Sequence, residues 1–174
     1  MKLGVHTKSV IVLTVTCAFW AAALAVVYNV TKPIIESTEK VEIDATLRRI
    51  FPDADNFIEE HEHYTSLKEG VPIGYATISR GYGYGGEMKL LVGIGLDNRV
   101  VGVSVISNSE TAGVGSRITE NTFLGQFIGQ TADNLKLRKD GGQIDAVTGA
   151  TISSTAAVEA VYNGVKLLEN MTGG

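Results

Sequence analysis

The chain has 174 residues, room for one domain and little more, and 44% of them are hydrophobic against 20% charged, which excludes a disordered chain. Its net charge of −4 argues against binding a nucleic-acid backbone, so no nucleic-acid partner is expected. A single cysteine, Cys17, excludes a disulfide framework, a thiolate zinc site and an iron–sulfur cluster held by this chain, leaving any redox chemistry to an organic cofactor.

The N-terminal run Val10–Val30 has 21 residues, and no charge occurs from Ser9 to Thr31. As a helix it would extend about 31 Å, enough to cross a bilayer core. Tyr28 lies near one end, where amphipathic aromatics belong. Lys2 and Lys8 precede the run, whereas residues 32–174 hold 13 Lys and Arg against 19 Asp and Glu. The positive-inside rule therefore expects residues 1–9 in the cytoplasm, residues 10–31 as a single-pass helix in the cell (inner) membrane, and the bulk outside the cytoplasm. A cleaved signal peptide, with Ala23-Leu24-Ala25 as its processing site, is the alternative. The apolar run exceeds the roughly 7–15 residues usual for signal peptides, which favours a retained anchor.

Residues 32–60 read as an amphipathic linker helix region, with Ile43, Leu47 and Ile50 on one face and an end near Phe51-Pro52. Residues 36–62 carry nine acidic and three basic side chains, a solvated face or a dock for a cationic partner. His61 and His63 would share one strand face, but two ligands fall short of a metal site, and no metal is expected.

Residues 61–174 form the expected extracytoplasmic domain. Three strands are predicted, at Ile73–Ser79, Met88–Leu96 and Val100–Ser107, with a tight turn at Asp97-Asn98 requiring antiparallel neighbours. The glycine-rich run 81–86 satisfies G-x-G-x-x-G, yet a strand follows it rather than a helix, so it is no dinucleotide site. Its Tyr82 and Tyr84 face a partner, a flat ring or the core. Phe123, Leu124, Phe127 and Ile128 recur at helical spacing, as core residues do. Residues 131–142 read as a polar loop with Lys136, Arg138 and Lys139 clustered. Ser153–Leu168 is the strongest helix of the domain, with the stripe Ala157, Val158, Val161, Val165, Leu168. The fold class is α+β: one N-terminal transmembrane helix, then a mainly antiparallel sheet flanked by helices.

The chemistry concentrates between Asp145 and Ser154. Gly149 and Ala150 leave space beside the backbone, and Thr148, Thr151, Ser153 and Ser154 place four hydroxyls at a helix start. The free N–H groups and positive dipole end there suit a phosphate; the alternative is a plainly capped helix with Ser153 or Ser154 as N-cap. No Ser/His/Asp or Cys/His arrangement is apparent, and no catalytic nucleophile is expected.

Thr148-Gly149-Ala150-Thr151, with Asp145 before it and Ser153 after it, resembles the flavinylation motif of the FMN-binding domain family. Asn108-Ser109-Glu110-Thr111-Ala112-Gly113-Val114-Gly115 resembles a second loop of that family, with Ala112 and Val114 where proline and leucine are usual. The resemblance implies FMN joined to Thr151 by a phosphoester, through a magnesium-dependent flavin transferase. Thr148, Gly149, Ala150, Ser153 and Ser154 would line the attachment site. Glu110, Thr111, Gly113 and Gly115 would lie beside the ring. Glu110 would tune potential or gate access, or else form a surface salt bridge. Asp145 would serve attachment, or else only the turn.

The layout of anchor, linker and single flavin domain is similar to the family of the G subunit of the Rnf complex, an ion-translocating ferredoxin:NAD oxidoreductase. A relative of that family is the C subunit of the sodium-pumping NADH:quinone oxidoreductase. This implies an electron-transfer subunit, with partners among the complex's other membrane subunits, the flavin transferase and membrane lipid, and no independent catalysis. A role like that of the sodium pump's C subunit, a free-standing membrane-anchored flavoprotein and a colourless scaffold are the alternatives.

Overall fold

The computed structural model describes residues 5–109 and 115–172. The chain divides into two compact units, Met1–Val41 and Glu42–Gly174. Helix α1 (Val5–Ile50) supplies the first unit and the opening turns of the second. Within it, Lys8–Lys32 is, among the described residues, the one segment long and apolar enough to cross a membrane, about 37 Å of helix. The hydroxyls of Thr14 and Thr16 donate to the carbonyls of Val10 and Val12 at 2.9 and 2.8 Å. Both hydroxyls thus have partners inside the helix, as polar groups in an apolar medium would need.

The short linker helix expected around Val41–Phe51 is the end of α1 and has no start of its own. The helix runs through Pro33 and continues along good helix formers such as Glu36, Glu39, Lys40 and Glu42. Its expected apolar face holds: Ile43 and Leu47 are buried, together with Phe51 just beyond the helix.

Five strands follow: β1 (Asn56–Glu60), β2 (His63–Lys68), β3 (Val71–Tyr82), β4 (Glu87–Gly95) and β5 (Val100–Asn108). They form one antiparallel sheet in sequential order. The three predicted strands are present, within these bounds or close to them. The β1–β2 hairpin is an addition to them, because its strands NFIEE and HYTSLK are polar in sequence; β1 is mostly exposed, whereas β2 buries Thr65 and Ser66. Their pairing is held by register against β3, with Tyr64 opposite Ala76 and Thr65 opposite Tyr75. The β2–β3 turn, Glu69-Gly70, has two positive φ angles of 52° and 80°, matching the twist of the flanking strands. His61 lies in the β1–β2 turn and His63 begins β2, so the two imidazoles do not share a strand.

Alternation along β4 divides the core between the two faces of the sheet. Met88, Leu90, Val92 and Ile94 pack with Val161, Val165 and Leu168 of helix α3 (Thr151–Thr172). Leu91, with Ala76 and Ile106, packs against Ile43, Leu47 and Phe51 on the other face. Phe123, Leu124 and Phe127 join the α3 side through helix α2 (Asn121–Leu124) and the 3-10 turn Gly125–Phe127. Ile128 departs from the expected apolar stripe and is 56% exposed. The helical geometry stops at Phe127 and Ile128 is extended, so the spacing no longer returns it to the core. The polar stretch 131–142 is not a bare loop: it holds two 3-10 turns, Ala132–Asn134 and Arg138–Asp140, with Leu135 and Leu137 buried.

Candidate functional site

Helix α3 begins at Thr151, two residues earlier than the hydrophobic stripe indicates. The turn Val147–Ala150 sets that start. The Ala150 N–H donates to the Val147 carbonyl at 2.9 Å, and Gly149 takes φ +82° at the third position, the signature of a type II turn. The Ala150 carbonyl then accepts from the Ser154 N–H at 2.8 Å, which makes Ala150 the N-cap residue and Thr151 the first helical position. Neither serine is the N-cap that the plain-capping alternative requires.

The four hydroxyls of the motif separate into two pairs. Thr148 and Thr151 are both exposed. Ser153 and Ser154 are 1% and 0% exposed, and both accept from backbone. Ser153 Oγ takes the Tyr84 N–H at 3.3 Å, and Ser154 Oγ takes the Val147 N–H at 3.0 Å. The serines thus fasten two loops to the first turn of α3, while the threonines stay open to solvent.

Asp145 is held at three points. Its carboxylate accepts from Arg138 Nε at 2.6 Å and Nη2 at 3.0 Å, a bidentate pair. Its N–H donates to Gln126 Oε1 at 2.7 Å, and its carbonyl accepts from Gln126 Nε2 at 3.3 Å. The hydrogen bond and charge of Asp145 raise the Arg138 guanidinium above its ordinary value. Sequence reasoning missed Gln126 and Arg138 as site residues. The only signal was the Lys136, Arg138, Lys139 cluster, which shows no partner until the fold closes the segment by pairing Leu137 with Ile144.

The glycine-rich run forms the β3–β4 turn. The Gly83 N–H donates to the Gly86 carbonyl at 2.9 Å. Gly81 sits against α3: a Cβ there would lie 2.6 Å from the Ala156 carbonyl oxygen, so only glycine permits the approach. Tyr82 and Tyr84 are 71% and 79% exposed, which removes the core-packing reading for both. The Tyr82 hydroxyl donates to Glu87 Oε1 at 3.3 Å. At the same end of the sheet, the Ser109 N–H donates to the Glu87 carbonyl at 2.9 Å. Glu110, Thr111 and Gly113 lie outside the described residues. Gly115 opens the 3-10 turn Gly115–Thr119, which contacts α3. Three segments thus meet at one end of the domain: the glycine-rich turn, the end of β5 and the turn leading into α3.

A concavity of about 400 Å³ lies elsewhere, between the β1–β2 hairpin and Leu167. Leu167 is sixteen residues along α3 from Thr151, roughly 24 Å by helical rise, so that hollow is separate from the motif.

Comparison with known proteins gives this arrangement a context. A family model described as an FMN-binding domain matches residues 83–166, from the glycine-rich turn through most of α3. The chain is 34% identical over 168 residues to the G subunit of the proton-translocating ferredoxin:NAD(+) oxidoreductase complex of Clostridium ljungdahlii, covering 93% of this chain and 91% of that protein. It is 31% identical to the G subunit of the ion-translocating oxidoreductase complex of Methanosarcina acetivorans, covering 96% of each. Among solved structures, the C subunit of the Na(+)-translocating NADH-quinone reductase from Parabacteroides distasonis superposes with a TM-score of 0.54 at 19% identity, over 64% of this chain and 62% of that one. NqrC of Shewanella oneidensis gives 0.53 at 18% identity, over 70% and 72%. These two show a shared fold. Over nearly its whole length, with an FMN-binding domain behind an apolar N-terminal helix, the chain belongs to the G-subunit family of ion-translocating oxidoreductase complexes.

Proposed function

We propose that this chain is a single-pass electron-transfer subunit of an Rnf-type complex and that it carries FMN covalently on Thr151. The observation that carries the reading is the position of Thr151: exposed, first in a 22-residue helix, two residues beyond a positive-φ glycine, and inside the segment matching an FMN-binding domain. The chain's donors fit a phosphate there. The first-turn N–H groups of α3 point toward its start without helical acceptors, and the dipole stabilises a phosphodiester's single negative charge by about 0.3–1 kcal/mol.

When bound, FMN supplies the one- and two-electron chemistry; the protein binds, orients and shields. Thr151 Oγ would form the bond to phosphorus as the bond from that phosphorus to the flavin donor's leaving group breaks; the leaving group takes up the hydroxyl proton, and the chain gains one FMN less one water. Gly149 and Ala150 leave the phosphate unobstructed. Arg138 and Gln126 hold Asp145 in one orientation for the transferase. Glu110, Thr111, Gly113 and Gly115 belong to the loop beside the ring in this reading. Residues 1–9 are cytoplasmic, 10–31 span the membrane, 32–60 connect, and 61–174 carry the flavin outside the cytoplasm. Lys2 and Lys8 before the apolar run support that orientation.

The test is the intact mass of the denatured chain after coexpression with a flavin transferase. The expected result is a gain of one FMN less one water, lost in Thr151→Ala and kept in Thr148→Ala. No gain, with the transferase active on a control substrate, removes the reading.

A further inference from the structure

We infer that Tyr84 is a positioning residue for the flavin, its phenol ring lying against the isoalloxazine of the FMN on Thr151. The inference rests on the covalent reading above and assigns a chain element to the ring rather than to the phosphate.

Two observations carry it. The Tyr84 side chain is 79% exposed, although aromatic rings of this size usually contribute to a core or an interface. The backbone beneath it is nevertheless pinned. Its N–H donates to Ser153 Oγ, a buried hydroxyl two residues along α3 from Thr151, and the neighbouring Gly83 N–H closes the turn onto Gly86. Gly81 lets this strand end approach α3 to a distance that any Cβ would forbid. An exposed aromatic is therefore held beside the attachment residue by bonds that fix its backbone and leave its ring open. Tyr82 differs: its hydroxyl donates to Glu87, its opposite partner on β4, and no bond ties its backbone to Ser153 among those of the described residues. A flat, apolar, weakly polar-edged ring is what a tyrosine face best accommodates, by offset stacking. A protein partner could also cover Tyr84, and the test separates the two.

Tyrosine and tryptophan in contact with a flavin quench its fluorescence, because both rings are readily oxidised; phenylalanine and leucine do not. The full chain is loaded in cells with a flavin transferase and purified in detergent. Fluorescence per attached flavin is then compared for the wild type, Tyr84→Phe, Tyr84→Leu, Tyr84→Trp and Tyr82→Leu, with loading read separately by denatured mass. The expected result is a severalfold rise for Tyr84→Phe and Tyr84→Leu, continued quenching for Tyr84→Trp and no change for Tyr82→Leu. Equal fluorescence in wild type and Tyr84→Phe at full loading overturns the inference, as does a rise confined to Tyr82→Leu. Loss of copurifying membrane subunits from Tyr84→Leu with unchanged fluorescence assigns the ring to a protein contact and also overturns it. An unloaded wild type fails the covalent reading instead, and the mass alone shows which has failed.

Discussion

The hydroxyl of Ser154 accepts the Val147 N–H at 3.0 Å, closing the segment that contains Gly149 onto the first turn of α3. The Ser154 side chain is buried, and its bond joins the first residue of the turn to the helix that the turn begins. Because of it, Thr148 and Thr151 stand on a backbone fixed at both ends.

Ser154→Ala leaves the Val147 N–H without its acceptor. A fully buried orphan donor costs about 1–3 kcal/mol, and this bond is part-buried, so the loss should lie toward the lower end. Chemical denaturation of the full chain in detergent, followed by circular dichroism, should show a lower midpoint with an unchanged slope. An unchanged midpoint would mean that the turn finds another acceptor.

Gly149→Ala places a Cβ on a residue at φ +82°. The left-handed conformation costs a non-glycine residue roughly 1–2 kcal/mol. The variant is expected to unfold more easily and to take up less flavin per chain by denatured mass. Full loading at wild-type stability would show that the turn tolerates another conformation.

Arg138→Gln removes the bidentate partner of Asp145 on an exposed surface, so its effect on stability should be small. Attachment should slow, because Asp145 then keeps only its backbone bonds to Gln126. The pH dependence has a definite sign. Arg138 is raised above its already high ordinary value, so its contribution is present at any pH below that value and lost only as pH rises past its folded one. The pair should therefore give no titration step from Arg138 near neutral pH. A wild-type rate of flavin incorporation in the variant would separate Asp145 from any need for orientation.

Gly81→Val would set a side chain against the Ala156 carbonyl oxygen, where even a Cβ lies 2.6 Å away. Overpacking of this kind costs about 1–3 kcal/mol. Thermal unfolding should occur at a lower temperature. Because β3 and α3 must then separate, hydrogen exchange at Tyr84 should also quicken.

Much of this protein can be read without a structure, for identifiable reasons. The apolar helix and the stripe of α3 repeat along the chain, and burial follows such periods directly. Strands β3 to β5 are legible because apolar β-branched and aliphatic residues recur there between turn signals. The β1–β2 hairpin is not, since Asn56–Glu60 and His63–Lys68 have polar sequences and owe their pairing to their neighbours in the sheet. Ile128 keeps the helical spacing of Phe123 and Phe127 but loses the helix.

The motif divides in the same way. Which residue types crowd between Asp145 and Ser154, and that a helix starts there, are properties of the sequence. That Ser153 and Ser154 are buried fasteners while Thr148 and Thr151 stay open to solvent was decided by the fold. So was the meeting of Asp145 with Arg138 and Gln126, and of Tyr84 with Ser153. A sequence specifies periods and local turns, because these depend on neighbours within a few residues. Hydroxyls of one motif acquire different partners only when segments distant in the chain, here residues 69 apart in the case of Tyr84 and Ser153, are brought within hydrogen-bonding distance.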